Sequence, residues 1–127
     1  MRMLSNEELA LRWHEIQPLV QEALDHGIGE SSSHNIFMEC MATNAQCWEH
    51  QGLIGITRFI QYPQYKQLQV VVCSGENLWA DGPECIEVFE SFARDTGCRN
   101  VAVWGRKGWK RFLTDYTEPY TILVKEV

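Results

Sequence analysis

The residues with the plainest chemistry cluster late in the chain, in Gly105-Arg106-Lys107-Gly108-Trp109-Lys110-Arg111. Arg106, Lys107, Lys110 and Arg111 occur with no acid between them, and Trp104 and Trp109 are interleaved. Gly105 and Gly108 let the backbone turn sharply. A helix starting here would add its positive dipole end to the side-chain charge. The combination suits an anion: a phosphate, a carboxylate, or an acidic patch on a partner. Trp109 could stack on a base or lie beneath the Arg106 guanidinium. The competing reading is structural, with Trp109 anchoring the turn while the cations are solvated or pair with Glu84, Glu87 and Glu90. Trp79 sits in a polar loop, where it would lid a groove or mark a contact surface.

Other chemistries are thinly represented. His14, His26, His34 and His50 show no His-Glu-x-x-His or related spacing, so no metal site is expected. Five cysteines are an odd number without a Cys-x-x-Cys pair, and most sit in apolar runs. They read as reduced, buried thiols. The net charge of -6 argues against a general nucleic-acid binder. No apolar run approaches the roughly 18–20 residues of a membrane helix. Residues 1–8 lack a basic region followed by an apolar stretch, so a cytosolic protein is expected.

A chain of 127 residues, 45% apolar and 22% charged, fits one soluble domain over 1–127. Ser5-Asn6-Glu7-Glu8 is a capping box, and Leu9, Trp13, Ile16, Val20 and Leu24 recur at helical spacing. Pro18 predicts a kink or a division into two short helices. Ser31-Ser32-Ser33 offers a second cap, before a short helix within 34–41. Segments 45–49, 53–60 and 65–73 read as an antiparallel meander. Leu68, Val70 and Val72 are expected on one face of the third strand, and Trp48 under the second helix.

The period then changes. Asp81 or Gly82 would cap a helix with Pro83 at its first position. Cys85, Ile86, Phe89, Phe92 and Ala93 form its stripe, and Gly97 stops it. Strand 99–104 completes a βαβ unit and should run parallel to 65–73. A helix over 108–116 and a closing strand over 121–127 finish the expected order. The fold class is α/β, a mixed sheet flanked by helices.

This order resembles the GNAT acetyltransferase superfamily and, more closely, a GNAT-like protein of tailed bacteriophages. Four pieces carry the likeness: Gln46-Cys47-Trp48, Ile56-Thr57, Phe92-Ala93-Arg94-Asp95-Thr96-Gly97-Cys98, and Gly105-Arg106-Lys107-Gly108-Trp109. It spans roughly residues 13–127. It implies a sheet whose parallel strands splay to admit the pantetheine arm of acetyl-CoA, with Val72, Cys73, Ser74, Gly75 and Gly82 at the cofactor. The superfamily's Arg/Gln-x-x-Gly-x-Gly/Ala loop matches 73–82, but the glycine spacing differs and the leading Arg or Gln is missing. Glu76 and Asp81 add negative charge there. The superfamily's general-acid tyrosine aligns with Leu113, leaving Tyr116 one turn away as the substitute. Glu49, with His50 and Glu39 as alternatives, is the candidate base.

Three functions follow. The first is a phage accessory protein that binds a host or virion protein in the host cytoplasm, with packaging into the virion as a second location. The second is an acyl-CoA-dependent N-acetyltransferase with a divergent loop. The third is a small-ligand or nucleotide-phosphate binder using the basic turn. An exposed edge strand at 45–49 would permit a homodimer.

Overall fold

The computed structural model describes residues 1–105 and 107–127, and of Lys107 the backbone alone. Helix α1 spans Asn6–Leu24. Glu8 N–H donates to Ser5 Oγ (3.1 Å), and Glu8 Oε1 accepts from Ser5 N–H (3.1 Å), closing the capping box. Leu9, Ile16 and Val20 form the buried stripe. Pro18 does not divide the helix. Its ring removes the donor to the His14 carbonyl, but both residues face solvent, where water can satisfy that oxygen. Helix α2, Ser33–Met41, carries a capping box of its own between Ser32 and Asn35. Trp13 of α1 is half-buried against Phe37 of α2, with ring centroids 4.8 Å apart.

The sheet holds β1 (Arg2–Met3), β2 (Ala45–His50), β3 (Leu53–Gln61), β4 (Lys66–Ser74) and β5 (Asn100–Val103), in that spatial order. The first three pairings are antiparallel, and β4–β5 is parallel, as the βαβ reading requires. β1 had no signal in the sequence, because a pair of residues displays no period. It covers part of the outer edge of β2, pairing Arg2 with Glu49 and Met3 with Trp48.

Helix α3, Leu78–Asp95, links β4 to β5. It packs on one face of the sheet over Trp48, Leu53, Leu68, Val70 and Cys73. Helices α1 and α2 cover the other face through Cys47, Ile54, Ile56 and Val72. Trp48 thus lies under α3, not α2. Its ring meets Phe89 edge-on at 5.4 Å, and its Nε1–H donates to Thr57 Oγ1 (2.9 Å).

Val72 also leaves the face expected for it. The β3–β4 register steps from Ile56 opposite Val72 to Thr57 opposite Val70, so Val71 is an extra residue in β4. Such a bulge reverses the alternation beyond it. Leu68 and Val70 point towards α3, Val72 towards α1 and α2, and Cys73 towards α3 again.

Helix α3 begins earlier than the Pro83 signal suggests. Asn77 is its N-cap, in the left-handed region (φ 59°, ψ 23°), and Asp81, Gly82 and Pro83 lie within the helix. Pro83 can lie there because the carbonyl it frees belongs to Trp79, at the exposed end of the helix. After β5 the chain forms a five-residue 3₁₀ turn, Lys107–Arg111, instead of a helix over 108–116. The closing strand over 121–127 does not form, and Ile122, Leu123 and Val124 are exposed. Pro119 lacks an N–H and biases Glu118 to extended backbone, which stops helical continuation. Among the described residues no helix is long and apolar enough to cross a membrane.

Candidate functional site

β5 stops at Val103, paired with Val70, and Trp104 N–H donates to the Val70 carbonyl (3.0 Å). β4 continues through Val71, Val72, Cys73 and Ser74 with, among the described residues, no strand beside it on that edge. The bulge at Val71 therefore sits where the parallel strands part. A cleft of about 1430 Å³ opens there, its walls including Val71, Cys73, Trp104, Trp109 and Leu113. Val72, Cys73 and Ser74 are buried, so what they can offer a ligand is backbone. The β4 peptide groups that lack a β5 partner can accept and donate to an extended amide chain.

β4 ends at the turn that leads into α3. Gly75 has φ +132°, and a Cβ there would lie 2.2 Å from the Gly52 carbonyl oxygen. Only glycine allows this approach between the end of β4 and the β2–β3 turn. The first bonded amides after the turn are Ala80 and Asp81, both donating to the Asn77 carbonyl (3.1 and 2.9 Å). The Leu78 and Trp79 amides precede them at the open helix end. A cavity of about 440 Å³ lies here, lined among others by Glu22, Ser74, Gly75, Asn77 and Trp79. The helix end favours an anion. Glu22 of α1 opposes one, and among the described residues no lysine or arginine lines this cavity. Gly82 lies inside α3 against Leu78 and Phe112, apart from it.

Tyr116 and Glu49 are not brought together. Tyr116 Oη donates to Glu90 Oε2 of α3 (2.7 Å). Burial, reinforced by Glu90, pushes the phenol well above its ordinary range. Glu49 lies towards α1, where Arg12 hydrogen-bonds it and Arg2 pairs with it at 3.4 Å. The Arg12 bond holds its carboxyl below the usual range. A phenol so raised releases its proton poorly, and a carboxylate so lowered accepts one poorly.

The basic turn is fixed by aromatic packing. Trp109 is buried against Phe112 (5.0 Å between centroids), and Trp79 packs on Trp109 (6.0 Å) and edge-on to Phe112 (5.4 Å). A Cβ on Gly105 would come within 2.6 Å of Trp109 Cδ1, so the turn fits closely over the indole. Lys110 pairs with Glu118, not with the acids of α3, and Arg111 is exposed. Arg106 lies outside the described residues, as does the Lys107 side chain. A five-residue 3₁₀ turn supplies little of the dipole that a longer helix would.

Burial pushes the thiols of Cys40, Cys47 and Cys73 up to about 12. All five cysteines are free.

Sequence reasoning missed Glu22 and the Val71 bulge, and it offered Glu90 to the cations of the basic turn instead of to Tyr116. Glu90 and Tyr116 are far apart in the chain, and the bulge leaves no mark on an apolar run. Asn77 did leave one, since asparagine tolerates the left-handed region and follows a glycine turn.

No family model and no curated protein matches the chain. Solved structures do. Glucosamine-6-phosphate N-acetyltransferase from Arabidopsis thaliana superposes with a TM-score of 0.61 at 12% identity, over 98% of this chain and 95% of that one. A GNAT family acetyltransferase from Staphylococcus aureus gives 0.64 at 8%, over 99% and 96%. A predicted acetyltransferase from Clostridium acetobutylicum, solved with acetyl-CoA, gives 0.64 at 12%, over 99% and 93%. The chain has the fold of the GNAT acetyltransferases. The residues present fit that fold's cofactor in part: the free β4 edge suits a pantetheine arm, whereas the Glu22 cavity does not suit a diphosphate.

Proposed function

We propose that this is a phage-encoded GNAT-fold accessory protein that binds an acidic protein of the host or the virion through its basic turn, without acetyl transfer. The observation that carries this reading is the pair of indoles around the turn. Trp79 is 53% exposed and Trp104 46% exposed, beside exposed Lys110 and Arg111. Rigid aromatics beside cations are the residues that concentrate binding energy at protein interfaces. The Glu22 carboxylate at the α3 cavity, and the engagement of Tyr116 by Glu90, count against turnover. The phage assignment rests on the four sequence pieces described above. The host cytoplasm is the compartment that goes with it, and the virion the alternative.

The test is affinity capture from infected cells and from purified virions. The native chain should retain one acidic partner, and Trp104→Ala with Arg111→Ala should lose it while melting at the native temperature. Equal retention by both would refute the reading. A second reading, an N-acetyltransferase with a divergent loop, is favoured by the unpaired β4 edge from Val71 to Ser74. It predicts release of coenzyme A from acetyl-CoA on addition of a primary amine.

A further inference from the structure

The segment that follows the basic turn comes back to it. Phe112 and Leu113 N–H both donate to the Trp109 carbonyl (3.4 and 3.1 Å), and Tyr116 N–H donates to the Leu113 carbonyl (3.1 Å). Leu113 is buried, and the Tyr116 hydroxyl is held by Glu90, so this short stretch is anchored on α3. Glu118 follows two residues later and pairs with Lys110, one of the four cations of the turn. Pro119 biases Glu118 to extended backbone, which narrows the conformations open to the tether.

An acidic partner would bring carboxylates to a turn where the chain already places one of its own. The Lys110 and Glu118 side chains are 63% and 54% exposed, so the pair lies on the surface that a partner must approach. An exposed ion pair is weak. A short tether offsets this, because it holds the carboxylate at a high effective concentration. An incoming carboxylate must displace Glu118 or settle beside it against like-charge repulsion. Exchange of one carboxylate for another at Lys110 gains little. Net affinity then has to come from further acids that reach Arg111 and from apolar contact with Trp79 and Trp104, all of which are exposed.

We infer that Glu118 is an internal competitor for the basic turn, holding Lys110 until a partner's carboxylate replaces it. The inference rests on the reading of the turn as a site for an acidic protein, and it adds how that site selects. A single carboxylate does no more than exchange with Glu118. A segment that presents several acids together gains at the remaining cation and at the indoles, so clustered acids are favoured over isolated ones.

The test is titration of the full chain with poly-L-glutamate, read by tryptophan emission at constant ionic strength. Glu118→Gln should bind the polymer about two- to fivefold more tightly than the native chain, the worth of an exposed ion pair. Glu87→Gln, at an exposed position of α3, makes the same change in net charge and should gain less. The gain from Glu118→Gln should shrink in a Lys110→Gln background, where there is no pair to break. All three variants alter exposed side chains and should melt near the native temperature. Equal affinities for the native and Glu118→Gln proteins overturn the inference and leave the acidic-partner reading standing. An equal gain from Glu87→Gln also overturns it, because net charge would then be the cause. No binding of the polymer by either the native or the Glu118→Gln protein removes the acidic-partner reading, and the inference with it.

Discussion

Tyr116 Oη donates to Glu90 Oε2 across 2.7 Å, joining the segment after the basic turn to the middle of α3. The bond occupies the hydroxyl that the resemblance offered as a substitute general acid, and it ties the segment after the basic turn to α3.

Tyr116→Phe should lower stability by about 1.5–3 kcal/mol, the range for a hydrogen bond to a charged acceptor. The pH dependence has a definite sign. The folded phenol is raised above its unfolded value, first by burial and then by Glu90. Its contribution is therefore complete below about pH 10 and is lost as pH rises further, because only the unfolded chain releases the proton. Spectrophotometric titration should show one phenol ionising only with unfolding, a step that Tyr116→Phe removes. The same titration curve, less one ordinary phenol, in the Tyr116→Phe protein would contradict the buried bond.

The glycines at either end of the expected cofactor loop should behave oppositely. Gly75→Ala would force a Cβ to 2.2 Å from the Gly52 carbonyl at φ +132°, and should destabilise by more than about 2 kcal/mol. Gly82→Ala meets its nearest neighbour at 3.7 Å inside a helix, and should be neutral or stabilising by up to about 1 kcal/mol. Denaturant midpoints decide. A cost at Gly82 equal to that at Gly75 would mean that α3 does not start at Leu78.

Glu49 should prove structural. Arg12, then Arg2, keep its carboxyl below the ordinary range. The stability it gives is present above the unfolded value near 4.5 and disappears as pH falls through the lower folded value. Glu49→Gln should thus cost about 1 kcal/mol at neutral pH and nothing under strongly acid conditions. A gap between the two proteins that stays constant with pH would rule out the ion pair as its cause.

The parallel pairing of β4 with β5 is legible in the sequence because the shift from alternation to a helical stripe is strong and Gly97 ends it plainly. The capping box at Ser5 and a cap within Ser31-Ser32-Ser33 are legible because the partners lie within one turn, whereas the reciprocal bond from Asn35 to Ser32 is seen only in the structure. What is hidden depends on contacts between distant residues. Val71 reads like its neighbours until Ile56 and Thr57 set the register. Pro83 looks like a first-turn residue because the left-handed Asn77 that precedes it is a weaker signal. Segment 121–127 has the composition of a strand, and composition does not say that a strand lacks a neighbour. At the site, Gly75 is identifiable from its type, whereas Glu22 enters only because α1 passes the end of β4.

The most direct measurement is a calorimetric titration of the native chain and of Glu22→Lys with acetyl-CoA. Like charges about 4 Å apart repel by ~1–4 kcal/mol depending on the local dielectric. The native protein should show no saturable binding up to millimolar ligand, and the variant should bind at least about tenfold more tightly, the equivalent of removing 1.4 kcal/mol of repulsion. Micromolar binding by the native protein, with coenzyme A released to an amine, would contradict the reading of this chain as a binding protein that does not transfer acetyl groups.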